Sequence, residues 1–331
     1  MSAEAPRTIR AAAIQMEARV MDIPWNIAQA DRLVGEAVSL GARLVALPEF
    51  FTTCIVYDER LFAASLPPEN PALDMLRARA RRHGIHIGGS YLEMRGGDVY
   101  NTYVFVEPDG AVHRHDKDLP TMIENAFYTG GRDSGLMETG LGPVGAAVCW
   151  ETIRTQTVKR LRGRASLLMT GSHWWSEPGW RIFGPLAPRI HESNARAMAR
   201  TPGRFAALVG APLLHAAHAS VIEGGYLLVP GTRIRVPTRT QLMGETQIVD
   251  ARGEVLARRR YQEGAGVVVG DIVPGACADP APLPARFWIP RLPPLIRAMW
   301  HHQNACGKSA YAWARRTGRL RTFDFSRNAP L

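Results

Sequence analysis

The tightest constraint on the fold is a hydrophobic period that switches repeatedly along the chain. Apolar, β-branched runs that suit strands alternate with stretches of helical spacing: "TIRAAAIQM", then Trp25 to Leu40, then "RLVALPEF", then Ala72 to His83, then "IHIGGSYLEM". Strand and helix in that order build an α/β layer fold, because each sheet face must be covered by helices or by a second sheet. The alternation then breaks. "DVYNTYVFVEPDGAVHRHDK" reads as two strands joined at "PDG", where Gly110 supplies the positive φ of a hairpin turn. A purely parallel sheet is thereby excluded. "VGAAVCW" and "ASLLMTGS" flank a helical "TIRTQTVKRLRG" that Gly163 can cap, and a long helix is expected within Pro188 to Ala199. "TQIVDARGEVLARRR" turns at "ARGE" as a second hairpin, and "GAGVVVGDI" closes the series. The fold class is α/β with mixed sheets. The Pro-rich "VPGACADPAPLPARFWIPRLPP" ends the pattern, dividing a main domain, residues 1–274, from a Pro-rich and basic tail, residues 275–331. In that tail Leu295, Met299 and Trp300 share one side of a helical pattern.

A formal net charge of +10 raises the question of a polyanionic partner. Its distribution answers it: nine Lys/Arg and a single acid, Asp324, lie from Arg286 onward, so the main body is nearly neutral. Such a body is not built to grip a phosphate backbone, and no nucleic-acid partner is expected. No run approaches the roughly 18 apolar residues of a spanning helix, and "MSAEAPRTIRAAAIQME" meets polar residues too early for a signal peptide. Cytoplasmic residence is the expectation. The cysteines Cys54, Cys149, Cys277 and Cys306 are scattered, without a C-x-x-C pair, so neither a disulfide framework nor a structural zinc site is expected.

Several patterns imitate sites. "GLGPVG", Gly140 to Gly145, fits G-x-G-x-x-G but opens a strand and carries Pro143, which makes it a turn and not a dinucleotide cradle. "CGKS" at Cys306 lacks the first glycine of a phosphate loop. "HRH", His113 to His115, and "HH" at His301 lack a carboxylate or thiolate at ligand spacing and read as surface histidines.

Three polar residues stand at strand ends: Glu49 after the apolar run "LVALP", Lys117 ending the second arm of the first hairpin in "HRHDKDLPT", and Cys149 ending "GAAVCW". Each alone has a bland reading, a surface ion pair or a core thiol. Together they suit one chemistry. A cysteine attacks as the thiolate, a lysine steadies an oxyanion, and a glutamate shuttles the proton that a leaving amine requires.

These stretches resemble the carbon-nitrogen hydrolase family, also called the nitrilase superfamily. "LVALPEFF" is similar to its glutamate motif, "HDKDLPTMIENAFYTGG" to its lysine motif and "GAAVCWETIR" to its nucleophile motif. "IRAAAIQME", "ARAMAR" and "ETQIVDARGEVLA" extend the likeness over most of the body. The resemblance implies a four-layer α-β-β-α sandwich of two mixed sheets, here with an extended basic C-terminal tail, assembling at least as a homodimer. It implies Cys149 as nucleophile, Glu49 as general base, Lys117 with the backbone N–H of Trp150 as oxyanion holders, and Glu124 as a second glutamate that orients Lys117 or the substrate. A helix cap or a plain ion pair is the alternative for Glu124. No cofactor and no metal are expected. The chain departs from the family pattern at Thr155 and Gln156, where many relatives carry Pro-Glu, and at Arg200-Thr201-Pro202; the segment Leu213 to Gln241 is longer than expected.

The expected reaction is hydrolysis of a small amide through a thioester, with a nitrile as the alternative substrate of the same three groups. Trp174 and Trp175 in "GSHWW" are candidates to wall an apolar acyl pocket, or to pack at a subunit contact. From a different class, an inactive body with a tail that binds anionic membrane surfaces remains open, as does a tail that wraps a neighbouring subunit.

Overall fold

The computed structural model describes residues 8–178, 180, 184–185, 187–275 and 279–326, so Cys277 lies outside the described residues. The first half of the chain runs β1 (Ile9–Met16), α1 (Ile23–Ser39), β2 (Leu44–Ala46), α2 (Pro71–His83), β3 (His86–Arg95), β4 (Asp98–Val106) and β5 (Val112–Asp116). The second runs β6 (Leu136–Thr139), β7 (Gly142–Val148), α3 (Thr155–Leu161), β8 (Leu167–Ser172), α4 (Ala187–Val209) and β9 (Leu213–His218). Two hairpins follow, β10 (Val221–Leu227) with β11 (Arg235–Gln241) and β12 (Gly244–Val249) with β13 (Val255–Arg260), and then β14 (Gly266–Ile272) and α5 (Pro294–Arg316).

Local chemistry sets the element ends. The Asn70 side chain accepts from Leu73 N at the start of α2, Pro71 occupies its first turn, and Gly84 closes it in the left-handed region at φ 61°. α4 extends past the expected end at Ala199, through Pro202. A proline inside a helix costs about 3 kcal/mol. The turns beyond it bury Phe205, Leu208 and Val209 completely or nearly so, each contributing roughly 1.5–3 kcal/mol. Burial of that face outweighs the lost bond.

Hydrogen bonding joins twelve strands, which fold over into two layers. One layer has the order β5-β4-β3-β2-β1-β14 and the other β6-β7-β8-β9-β12-β13. Strand pairing joins the two layers where Gln15 and Met16 of β1 pair with Ala217 and His218 of β9. Side-chain alternation along the strands gives each layer two apolar faces. Ala12, Ile14 and Val45 pack outward under α1 and α2. Ala11, Ala13 and Ala46 face inward with Ala146, Met169 and Ala216 of the other layer. Ala147, Leu168 and Leu213 pack outward under α3 and α4. The result is helix, sheet, sheet, helix, with both parallel and antiparallel pairs in each sheet. Among the described residues no helix is long and apolar enough to cross a membrane.

The long segment after β9 forms a separate two-stranded sheet, β10 with β11, whose Gly225 N donates to Tyr57 O at 2.9 Å. In the C-terminal segment the helical pattern is realised as α5, which buries Cys306, Ala310 and Ala314 against the body. Gln303, Cys306, Gly307, Ala310 and Ala314 form its buried side, while Leu295 is exposed.

Near the end of β8, Gly171 packs directly against the turn that follows β2. A Cβ there would lie 2.5 Å from Glu49 N and 2.8 Å from Pro48 C, both backbone atoms that cannot swing aside. Gly171→Ala should therefore push the Glu49 turn away from β8. Overpacking of this kind costs about 1–3 kcal/mol, and a displacement near 1 Å at a reacting group can cost roughly a hundredfold in rate. Thermal unfolding should register the first and turnover the second; unchanged values for both would contradict the close approach.

Candidate active site

Glu49, Lys117 and Glu124 are fully buried and Cys149 is 2% exposed, all at strand ends or in the turns that follow them. Lys117 Nζ donates to Glu49 Oε1 at 2.9 Å and to Glu124 Oε2 at 2.7 Å. Cys149 interacts electrostatically with all three, and Ser172 Oγ lies 3.7 Å from its Sγ. The structure thus gathers the residues singled out from three separate motifs.

Their backbones are held in unusual conformations. Phe50, Met122 and Cys149 have φ of 54°, 52° and 51°, a region that side chains with a Cβ rarely occupy, and each adjoins or belongs to the cluster. Surrounding bonds fix these turns. Asn101 Nδ2 donates to Glu49 Oε1 at 2.8 Å, while its carbonyl accepts from Lys117 N at 3.0 Å, so one residue of β4 sets both. His173 N donates to Glu49 Oε2 at 2.8 Å, and His218 Nε2 donates to Glu49 O at 2.7 Å. Glu124 caps its own 3-10 turn, Met122–Ala126, by accepting from Thr121 N at 2.9 Å, and also accepts from the Tyr128 hydroxyl. Both readings of Glu124, cap and ion-pair partner, describe it.

Burial dominates the electrostatics. It raises the Glu49 pKa to about 7, Lys117 opposing and Glu124 reinforcing the shift. Burial also disfavours the Lys117 ammonium, but Glu124 and Glu49 outweigh it and hold the pKa well above the usual lysine value. Cys149 is pushed up by burial, with the two carboxylates adding and Lys117 opposing, so the resting sulfur is a thiol. His173 and His218 are kept neutral by burial, the latter lowered to about 4. Such an arrangement holds a thiol, a carboxyl poised near neutrality that can take its proton, and a fixed cation. Among the described residues no cluster of three or more His, Cys, Asp or Glu could hold a metal ion.

Sequence reading missed the support beneath the cluster. Glu151, fully buried, accepts from Val148 N at 2.7 Å beside the nucleophile turn and from Asp118 N at 3.1 Å beside Lys117. It ties the two strand ends together. His115 Nε2 donates to Glu151 Oε2 at 2.9 Å and its Nδ1 to Asp133, while Asp118 pairs with Arg154 and Arg160. His115 is therefore not a surface histidine; it is fully buried, because carboxylates on both ring nitrogens satisfy its charge. Acid-base alternation in "HRHDKD" and the Glu two places after the cysteine were the available signals.

Trp150 follows Cys149 in the first turn of the 3-10 helix Cys149–Ile153, where helix geometry leaves backbone N–H groups without intrahelical partners. Its ring is tilted against Trp174 at 5.8 Å and edge-on to Trp288 at 5.4 Å. Trp174 is buried and donates from Nε1 to Asn194 Oδ1 at 2.8 Å. Trp175 is half-buried and bridges to Leu242.

A sequence profile of the carbon-nitrogen hydrolases matches residues 10–279. The chain belongs to the carbon-nitrogen hydrolase family. A bifunctional nitrilase/nitrile hydratase of Nicotiana tabacum is 27% identical over 297 residues, 82% of this chain and 80% of the relative. A second relative of that description from the same plant is 30% identical over 165 residues, 44% of this chain and 47% of its own. The chain spans about half the length of most of the curated relatives it matches most strongly. Among solved structures, a carbon-nitrogen hydrolase of Helicobacter pylori G27 superposes with a TM-score of 0.60 at 21% identity, covering 80% of this chain and 89% of that one. A nitrilase-superfamily amidase of Nesterenkonia sp. AN1 gives 0.58 at 20%, covering 81% and 92%. These two show the shared fold. Residues 10–279 are thus a carbon-nitrogen hydrolase domain.

Burial opposes the charge of His115, yet Glu151 and Asp133 raise its pKa to about 10. A histidine with a raised folded pKa stabilises fully below its unfolded value near 6.5, and the contribution fades as pH climbs through about 10. The thermal midpoint should fall between about pH 7 and pH 10, and His115→Gln should flatten that fall while lowering the midpoint at about pH 6. Parallel curves for both proteins would exclude the buried ion pair as its source.

Proposed function

We propose that the enzyme hydrolyses the carbon-nitrogen bond of a small amide through a thioester on Cys149. Glu49, with its pKa near 7, takes the thiol proton as the sulfur attacks the carbonyl carbon. The oxyanion that forms is held by Lys117 Nζ and the N–H of Trp150. Protonated Glu49 gives its proton to the nitrogen as the carbon-nitrogen bond breaks, and amine or ammonia leaves. The carboxylate then takes a proton from water, hydroxide adds to the thioester, and as the carbon-sulfur bond breaks Glu49 returns that proton to the sulfur, releasing the carboxylic acid and restoring thiol and carboxylate. Trp174 and Trp175 wall the acyl side of the pocket in this reading, and the molecule works as a homodimer or larger homo-oligomer.

The observation that favours an amide is Glu124. Its Oε1 is buried without a hydrogen-bond donor while Oε2 is fully engaged, and an unpaired buried carboxylate oxygen is costly. An amide N–H₂ offers the missing donor; a nitrile nitrogen offers none. The nitrile reading has separate support: the curated relatives quoted above are described as nitrilases, one aligning over four fifths of both chains. Attack on a nitrile would give a thioimidate that loses ammonia on hydration.

An ammonia-release screen over small amides and nitriles decides between them. Cys149→Ala should abolish both turnover and any acyl adduct seen by intact mass, and full turnover in that variant would refute the proposal. The acid limb of kcat/KM should fall near pH 7, where Glu49 is lost as a base. Glu49→Gln should reduce turnover by about a hundredfold to ten-thousandfold; a limb that stays near pH 7 in that variant would assign it elsewhere. Product analysis with added amine distinguishes water from amine as the acyl acceptor.

A further inference from the structure

The family match ends at residue 279, yet the chain beyond it grips two of the turns that carry the cluster. Residues 287–289 run antiparallel to the end of the nucleophile turn. Thr155 N donates to Phe287 O at 3.0 Å, Ile289 N donates to Ile153 O at 2.9 Å, and the Thr155 hydroxyl donates to Arg286 O at 2.6 Å. Trp288 stands edge-on to Trp150 on one side and to Trp300 of α5 on the other, at 5.4 and 5.5 Å.

α5 then lies along the 3-10 turn that carries Glu124. The two press together at Gly307, where a Cβ would sit 2.7 Å from Asn125 Cβ and 2.9 Å from Ala126 N. One turn earlier, Asn125 Nδ2 donates to Asn304 Oδ1 at 3.0 Å, and the same amide also donates to Pro120 O and Met122 O. Asn125 thus shares its two amide hydrogens among three acceptors, tying the helix to the backbone at Pro120 and at Met122, the residue at positive φ. The helix is anchored on either side of this contact. Gln303 donates to Leu227 O at 2.7 Å, and the Tyr311 hydroxyl accepts from Val99 N and donates to Asp98 Oδ1.

We propose that residues 286–311 are a positioning element for the catalytic cluster, with Asn304 and Gly307 setting Glu124 through its neighbour Asn125. This rests on the hydrolase reading for its purpose, but not for its geometry. A short 3-10 turn with a strained residue has little rigidity of its own, and Glu124 must stay within hydrogen-bond reach of Lys117 while one of its oxygens is left for substrate. A glycine at the contact lets a helix backbone press directly on that turn, which a flexible loop could not do.

The test uses the full chain, with Asn304→Ala, Gly307→Ala, Glu124→Gln and the two pairwise combinations with Glu124→Gln. The readout is the rate of Cys149 alkylation by iodoacetamide, followed by peptide mass across pH, which needs no substrate. Glu124→Gln should shift that rate, because Glu124 acts on both Lys117 and Cys149. Each α5 variant should shift it by about threefold or more alone and by less than about 1.5-fold in the Glu124→Gln background, the signature of residues that act through one group. If Gly307→Ala fails to fold, Asn304→Ala decides. Equal effects in both backgrounds, no effect in either, or an unchanged rate in Glu124→Gln would overturn the proposal. Absence of ammonia release from every amide and nitrile would instead sink the hydrolase reading and leave this result standing.

Discussion

A single ammonium enclosed between two carboxylates, with water excluded from all three, governs the rest of this structure. Lys117 cannot be buried as a cation without Glu49 and Glu124 at 2.9 and 2.7 Å, and removal of one partner from such a site typically costs about 3–5 kcal/mol. Two acids against one base leave an excess of negative charge. Burial raises Glu49 to about 7, moving it toward neutrality, and burial together with the two carboxylates keeps the adjacent Cys149 protonated at rest. A proton therefore sits on the sulfur with a carboxylate acceptor, poised near neutrality, beside it. That is the condition under which attack and proton transfer can occur together.

Holding such a cluster demands a frame, since each member lies where a strand gives way to a turn. Glu151 links the backbone beside Cys149 to the backbone beside Lys117, and Asn101 links Lys117 to Glu49. Gly171 lets β8 touch the Glu49 backbone. The frame is built from groups that are themselves buried and paired, so that rigidity does not depend on long exposed side chains. Thr155 belongs to it as well. Its N–H reaches the C-terminal segment, a bond that a proline in its place could not donate.

Much of the fold was legible because periodicity and turn chemistry are local. The helices at Ile23–Ser39 and Pro71–His83, the hairpins turning at Gly110 and after Asp250, and the closing strand at Gly266–Ile272 all follow from spacing and from glycine or proline at fixed offsets. The continuation of α4 past Pro202 was not legible: a buried face overruled a local breaker. His115 misled for the same reason. Next to Arg114 and Asp116 it looks solvated, and only the approach of Asp133 and Glu151 from other turns makes its burial tolerable.

The sequence by itself determined the order of strands and helices, the mixed character of the sheets, and three polar residues at strand ends. It could do so because each of those features depends on residues a few places apart. Only the tertiary structure decided that Glu49 and Lys117, 68 residues apart, share a hydrogen bond, that Tyr128, Asn101 and Glu151 serve the same cluster, and that the basic C-terminal segment turns back as a helix onto the Glu124 turn. Those contacts arise from how two sheets stack and how closely glycines let them approach, and no pattern along the chain carries that distance.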